Sequence, residues 1–203
     1  MILSHKYKFI FIKTVKTAGT SIEIFLSRHC GEDDVVTPII PPVEGHVPRN
    51  HEGFYNHMPA HEVRQKVPEA VWNGYYKFCV ERNPWDKVIS QYCMLNHRSG
   101  GRLSFAQFMN GPDLPFNFQR YMDPSGDRLI VDRVLKYESL MDELGEVFGR
   151  LGIPFDGSLH VNAKSEYRTD KRPYREVFSE EQGRYIATLF EKEIGLHGYR
   201  FEG

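Results

Sequence analysis

Lysines, hydroxyl-bearing residues and small residues are concentrated in one stretch, residues 13–21, directly after the apolar run at 7–12. Ile22, Phe25 and Leu26 follow at helical spacing, so the stretch is expected to join a strand to a helix. Because a helix N-terminus carries unpaired N–H groups and a partial positive charge, such a turn is suited to bind an anion. The candidate anion-binding residues are Lys13, Lys16, Thr17, Ala18, Gly19, Thr20 and Ser21.

Each residue type in this turn would contribute differently. Ala18 and Gly19 would let the backbone approach a ligand closely, Lys16 offers a mobile cation, and the threonine and serine side chains offer hydroxyls. The alternative is an ordinary strand–turn–helix with a lysine-rich surface, because short motifs also match by chance.

A second turn of this kind follows the apolar run at 75–80. Arg82 is succeeded by Asn83, a good N-cap, and by Pro84, which suits the first position of a helix. The planar fork of Arg82 suits a phosphate, and the alternative is a structural ion pair.

The regular elements would bring these turns together. Strands are predicted at 7–12, 75–80 and 128–137, and helices at 20–29, 60–67, 84–97, 138–151 and after 179. Strands that alternate with helices indicate an α/β fold with a parallel sheet, in which both turns would lie at the carboxyl edge where such proteins bind ligands.

Length and composition restrict the possible functions. The 203 residues suit about one domain, and a hydrophobic share of 40% with a charged share of 26% is typical of a globular protein. The formal net charge of −1 provides no general field for nucleic acid or an anionic membrane, so an anion site must be built locally.

The chain also lacks the usual marks of export. Its N-terminal apolar patch leads straight into charged residues, unlike a signal peptide, and no run approaches the roughly 18 apolar residues of a membrane span. The cysteines Cys30, Cys79 and Cys93 form no CxxC pair. A cytoplasmic location is therefore expected, although a shortened secreted enzyme would have the same pattern.

Two blocks resemble the nucleotide-binding motifs of sulfotransferases that use 3′-phosphoadenosine 5′-phosphosulfate (PAPS). Lys16-Thr17-Ala18-Gly19-Thr20-Ser21 resembles their 5′-phosphosulfate loop. The block at 80–92, in which Ser90 follows Arg82 by eight residues, resembles their 3′-phosphate motif. The likeness is greatest to the Golgi-type carbohydrate enzymes (sulfotransferase family 2), the heparan sulfate 2-O group included, and to small bacterial relatives.

This resemblance implies a single sulfotransferase domain over 1–203, with a P-loop-NTPase-like three-layer fold and a central parallel sheet flanked by helices. PAPS would be the co-substrate, adenosine 3′,5′-bisphosphate the product and a carbohydrate hydroxyl the expected acceptor, with no metal required. Lys16 would stabilise the leaving phosphate, with Lys13 as the weaker candidate.

The family also suggests a catalytic base. The segment at 54–57 resembles the place where the 2-O group carries its catalytic histidine, so His57 is the leading candidate, and histidine titrates near working pH. His61, His51 or Glu62 could serve instead, or His57 could be structural. His57, His61 and Glu62 lack the HExxH order, so no zinc site is predicted.

The C-terminal part resembles the family at 160–165 and 198–201, which implies that Asn162, Lys164 and Ser165 contact the donor. The basic stretch at 164–175 could equally be a solvated face or a clamp for an anionic sugar chain. Val15 is a departure, because relatives often carry proline there, and it is expected to alter loop stiffness.

Two other classes of function compete with this hypothesis. A nucleotide kinase or P-loop NTPase would use the same physics, but here the lysine precedes Gly-Thr-Ser and no clear Walker-B-like aspartate ends a strand. A non-catalytic module that binds a nucleotide or glycan is the other. Acceptor contacts are expected from 31–56 and 98–127.

Overall fold

The structure is a computed structural model that describes residues 1–161, 167–168 and 170–201. Within these residues the chain forms two compact units. The first comprises Met1–Glu81 and Asn117–Ala163, and the second comprises Arg82–Phe116 and Lys164–Gly203. The chain therefore leaves the first unit after a strand and returns to it at Asn117.

The first unit contains a five-stranded sheet. Its strands are β1 (Ile2–Ser4), β2 (Phe9–Phe11), β3 (Val35–Val36), β4 (Tyr76–Glu81) and β5 (Arg133–Lys136). They lie in the order β3-β1-β2-β4-β5. The strands β2, β4 and β5 are parallel, with Phe11 opposite Phe78 and Val80 opposite Leu135.

The sheet is mixed, and the prediction of a wholly parallel sheet is wrong on this point. β1 pairs antiparallel with both β2 and β3. The physical reason is the short turn at 5–8, because strands joined by a tight turn form a hairpin and must run antiparallel. The α/β class is confirmed, while the P-loop-like assignment remains a prediction.

Helices cover both faces of the sheet. The helices of the described residues, in chain order, are α1 (Gly19–His29), α2 (Ala60–Lys66), α3 (Glu69–Gly74), α4 (Pro84–Arg98), α5 (Phe105–Met109), α6 (Phe118–Tyr121), α7 (Leu140–Leu151), α8 (Tyr174–Val177), α9 (Glu180–Leu189) and α10 (Glu191–His197). Because successive strand residues point to opposite faces, Phe9 and Phe11 pack with α1 and α7, whereas Ile10 packs with α2, α3 and α6.

The second unit is helical and is built around α4. Asn83 caps this helix by accepting hydrogen bonds from the amides of Trp85 and Asp86, as its sequence predicts. The indole N–H of Trp85 donates to the carbonyl of Gly183 over 2.9 Å. The buried core of the unit consists of Trp85, Val88, Ile89, Phe108, Met109, Phe178, Ile186 and Phe190.

Candidate functional site

The predicted anion loop leaves β2 at the carboxyl edge of the parallel strands. The amide of Ile12 still donates to the carbonyl of Phe78 over 2.9 Å, so the chain follows β4 beyond the end of β2. The hydroxyl of Thr14 donates to the carbonyl of Val80, and the hydroxyls of Thr14 and Thr17 are 2.7 Å apart. The side chain of Thr17 is thus used inside the loop, which it helps to attach to β4.

The backbone of the loop adopts an uncommon conformation. Lys16 has a φ of 61° and Ala18 a φ of 60°, both in the left-handed region that few non-glycine residues occupy. Left-handed residues that alternate with other conformations turn successive N–H groups toward one side, which makes a concave anion site. α1 begins at Gly19 without a side-chain cap, so the amides of Gly19 and Thr20 have no such acceptor in the described part of the chain.

Lys13 has a different environment from Lys16. Its ammonium lies 2.6 Å from Glu23, and Lys13 is 2% exposed. Glu23 also accepts from the ammonium of Met1. Burial would raise the pKa of Glu23, but the two ammonium groups reverse the effect and lower it. A Cβ on Gly19 would lie 2.7 Å from Cγ of Lys13, so the glycine lets this buried stem pass beneath α1.

Asn117 holds the loop from the other side. Its Oδ1 accepts from the amide of Val15 over 2.7 Å, and its Nδ2 donates to the carbonyl of Val15 over 3.0 Å. The same Nδ2 donates to Glu81 over 3.2 Å, and the hydroxyl of Tyr121 donates to Glu81 over 3.0 Å. Because proline has no N–H, a proline in place of Val15 could not make the first of these bonds.

His57 is attached to the start of the loop. Its Nδ1 lies 3.1 Å from the carbonyl of Lys13, and since a carbonyl can only accept, Nδ1 carries a proton. In the neutral ring Nε2 then keeps a lone pair. His57 has a φ of 63°, and the guanidinium of Arg120 donates to its carbonyl. A left-handed residue costs about 1–3 kcal/mol and persists only where its surroundings hold it, which these two contacts do.

The environment of His57 keeps its ring neutral. Burial lowers the pKa of His57, and the charges of Lys13 and Arg120 lower it further, from 6.5 to about 3. At neutral pH the imidazole is therefore uncharged, with Nε2 able to accept a proton.

A cavity of about 720 Å³ adjoins the start of α1. Ala18 and Ser21 line it together with residues 137–142, which follow β5, and residues 158–161. Its volume is within the usual range for a small-ligand site, roughly 300–1,000 Å³. The loop is thus continuous with a space large enough for a small molecule.

Arg82 and Ser90 belong to the second unit. The Nε of Arg82 donates to Asp86 over 2.8 Å, and a second nitrogen of the same guanidinium reaches the same oxygen. The other oxygen of Asp86 accepts from Arg168. Burial would raise the pKa of Asp86, but the two arginines lower it, and the three side chains together keep a positive charge. Ser90 is half-buried on α4.

Comparison with known proteins places the chain beside an archaeal relative. No protein-family model matches the chain. It is 33% identical over 113 residues to an uncharacterized protein of the archaeon Archaeoglobus fulgidus, and the matched region covers 54% of this chain and 94% of that protein. The chain belongs to the same family as that archaeal protein. Because the relative is named only as uncharacterized, membership brings no activity with it.

Three predicted donor contacts, Asn162, Lys164 and Ser165, lie outside the described residues. Elsewhere in the described chain, no group of three or more histidine, cysteine, aspartate or glutamate side chains is arranged to hold a metal. None of the helices that the structure describes is both long and apolar enough to cross a membrane.

The structure brings the loop and His57 together, but several of their supporting residues carry no motif. Glu23, Asn117 and Arg120 contact Lys13, the loop and His57, respectively, and Glu81 contacts Asn117. The available signal was polarity within apolar surroundings: Glu81 ends a buried strand, and Glu23 occupies the buried helix α1. Asn117 and Arg120 had no comparable signal, because they lie at the start of and within α6, a four-residue helix that is too short for a periodic pattern.

Proposed function

We propose that this protein is a PAPS-dependent sulfotransferase that transfers a sulfuryl group to a hydroxyl, with a carbohydrate as the expected acceptor. The observation that carries the proposal is the hydrogen bond between His57 and the carbonyl of Lys13. It fixes the imidazole, which burial keeps neutral, beside the loop that would hold the sulfate-bearing end of the donor. An anion site next to an uncharged base is what transfer to a hydroxyl requires.

The loop offers the groups that a phosphosulfate needs. The left-handed residues Lys16 and Ala18 and the uncapped start of α1 favour binding of an anion by backbone amides. The Lys16 ammonium would add a cation at the bridging oxygen, where negative charge grows during transfer. Lys13 would act indirectly, because its ammonium is paired with Glu23.

The transfer step would be an in-line displacement. The acceptor oxygen forms a bond to sulfur while the bond from sulfur to the bridging oxygen breaks. Nε2 of His57 takes the acceptor proton, and the leaving phosphate keeps the electron pair, stabilised by Lys16. No metal is required in this scheme, since positioning and fixed positive charge supply the catalysis.

The low pKa of His57 is consistent with a site that is completed by its substrate. Burial is the largest cause of the low pKa of His57, and the positive charges of Lys13 and Arg120 further oppose protonation of the ring. An anionic donor beside the loop would offset these charges and raise the pKa of His57 toward working pH, where a general base is most effective.

The other end of the donor is assigned from the sequence motifs. The cavity beside Ala18 and Ser21 has room for part of a nucleotide. Arg82 and Ser90 enter the proposal as 3′-phosphate ligands from the sequence motif, as do Asn162, Lys164 and Ser165 as further donor contacts. A cytoplasmic location also remains a prediction from the sequence.

Calorimetric titration tests the donor. Adenosine 3′,5′-bisphosphate is expected to bind more tightly than ATP with Mg²⁺. Preference for ATP–Mg²⁺ would contradict the proposal and favour the kinase alternative. Incubation with radiolabelled PAPS and a panel of glycans then tests transfer: labelled product is expected, whereas nucleotide binding without transfer to any acceptor would favour a binding module.

A further inference from the structure

We infer that Asn117 is a positioning residue that holds the anion loop in its binding conformation, and that Glu81 orients Asn117 for this role. The inference rests on the proposed function for the identity of the anion. It assigns a task to two fully buried polar side chains that the proposed chemistry does not itself use.

The contacts of Asn117 resemble those of one strand residue with another. Its amide group accepts from the N–H of Val15 and donates to the carbonyl of Val15, at 2.7 and 3.0 Å. Both backbone polar groups of Val15 are therefore fixed by a single side chain. Lys16, with its left-handed φ, is the next residue. The two hydrogen bonds from Asn117 therefore hold the backbone directly before the left-handed turn of the loop.

Glu81 reinforces the orientation of the Asn117 amide that the two bonds with Val15 require. Its carboxylate can only accept, so the amide nitrogen of Asn117 must point toward it, as the 3.2 Å contact indicates. With the amide flipped, two oxygens would face each other inside the protein. Tyr121 donates to the other carboxylate oxygen over 3.0 Å and fixes Glu81 in turn.

This arrangement connects the loop to the end of β4. Glu81 is the last residue of that strand, and the hydroxyl of Thr14 reaches the carbonyl of the preceding residue, Val80. The loop is thus attached to β4 at two successive residues, directly at Thr14 and through Asn117 at Val15. Loss of Asn117 should loosen Val15 and Lys16 while the rest of the sheet stays paired.

The test compares the binding of two nucleotides to the 203-residue chain. Asn117→Ala is expected to weaken binding of adenosine 3′,5′-bisphosphate roughly 10- to 100-fold, because small displacements of a binding loop have large effects. Binding of adenosine 3′-monophosphate, which has no 5′-phosphate for the loop to hold, should change less than about 3-fold, the range of an indirect effect. Asn117→Asp should behave like Asn117→Ala, because it places an oxygen against Glu81. Asn73→Ala, at an exposed position of the same unit, is the matched control.

Amide hydrogen exchange of the ligand-free protein gives a second measurement that does not depend on the nucleotide. Faster exchange at residues 15–20 in Asn117→Ala, with unchanged exchange in β4, supports the inference. Equal loss of affinity for both nucleotides, or unchanged loop exchange, overturns it. If the wild-type protein binds no adenosine 3′,5′-bisphosphate, the proposed function fails, and the exchange measurement alone still decides the role of Asn117.

Discussion

Lys13 and Glu23 form a buried ion pair beneath the anion loop, with 2.6 Å between the ammonium and the carboxylate. Lys16, three residues later, is only half-buried and lies in the left-handed turn of the loop. Two lysines that have similar surroundings in the sequence therefore have different physical roles. Lys13 stabilises the loop through its buried ion pair, and Lys16 is the lysine proposed to bind the ligand.

Substitution of the two lysines should separate these roles. Lys13→Met leaves the buried Glu23 with less compensation and is expected to lower the free energy of unfolding by about 3–5 kcal/mol. Lys16→Ala should cost much less stability but reduce turnover severely. Urea unfolding and the transfer assay measure the two effects, with the exposed Lys66→Met as control. Equal loss of stability in both variants would contradict the division.

Gly19→Ala is expected to destabilise the protein. The added Cβ would lie 2.7 Å from Cγ of Lys13, and that side chain cannot easily move while its ammonium is held by Glu23. The expected cost is about 1–3 kcal/mol, the usual range for overpacking. Gly149→Ala is the matched control: this glycine lies in α7 with nothing within 4 Å of its added Cβ, so the change should stabilise by about 0.5–1 kcal/mol. Thermal unfolding measures both, and a neutral Gly19→Ala would show that Lys13 can move aside.

How far the sequence predicts this structure depends on the length of each pattern. The apolar runs and helical spacing around β2, β4, α1 and α4 are long enough to place those elements. By contrast, the apolar run at β1 covers only residues 1–3 before polar residues follow, and β3 has only two residues, so the sequence does not predict either strand. The sequence therefore predicts only the parallel strands β2, β4 and β5.

The residues of the site likewise divide into those that the sequence predicts and those that it does not. The loop is recognisable because its lysines, hydroxyl-bearing residues and small residues follow one another directly in the sequence. His57 is indicated by the resemblance of its segment to the 2-O group. The contacts of Asn117 with Val15 and of Arg120 with His57 join residues 102 and 63 positions apart in the chain, so no local pattern could indicate them. The left-handed φ of His57 was also unpredictable, since it depends on Arg120 and Lys13 holding the backbone from two sides.

His57→Asn should abolish most of the activity while the fold is kept. Asparagine tolerates a left-handed φ and can donate to the carbonyl of Lys13, but it cannot act as a base. Turnover is expected to fall by roughly 10²- to 10⁴-fold, the usual contribution of a general base. Affinity for adenosine 3′,5′-bisphosphate should stay nearly constant. Wild-type turnover in His57→Asn, together with a large loss in His61→Asn, would move the base to His61.

The low pKa of His57 also predicts how stability depends on pH. The unfolded chain protonates this histidine near pH 6.5, whereas the folded protein resists protonation down to about pH 3. The contribution of His57 to the free energy of unfolding is therefore complete above pH 6.5. It is lost as the pH falls from 6.5 toward 3, by at most about 1.4 kcal/mol per pH unit. Urea unfolding between pH 7 and 4 should show a steeper loss for the wild type than for His57→Asn. The exposed His5→Asn is the control, and parallel curves for wild type and His57→Asn would refute the prediction.

Substitution of Arg82 tests whether its guanidinium binds the 3′-phosphate of the donor. Arg82→Lys keeps the charge but removes the planar fork, so binding of adenosine 3′,5′-bisphosphate should weaken by about 1.5–3 kcal/mol if the guanidinium holds the 3′-phosphate. Adenosine 5′-phosphosulfate, which has no 3′-phosphate, should bind equally well to both proteins. Calorimetry measures the difference, and the exposed Arg98→Lys on α4 is the control. Equal losses for both nucleotides would indicate that the pair with Asp86 is structural.

The edges of the sheet have a consequence for self-association. At one edge, β3 is only two residues long, and Val36 exchanges both of its outer backbone hydrogen bonds with Arg49. At the other, β5 carries the charged side chains of Arg133 and Lys136, and Arg133 is paired with Glu143. Long rows of unpaired N–H and C=O groups are what allow one sheet to extend into another, and short or charged edges discourage it. The open sheet is thereby protected against edge-to-edge aggregation at high concentration.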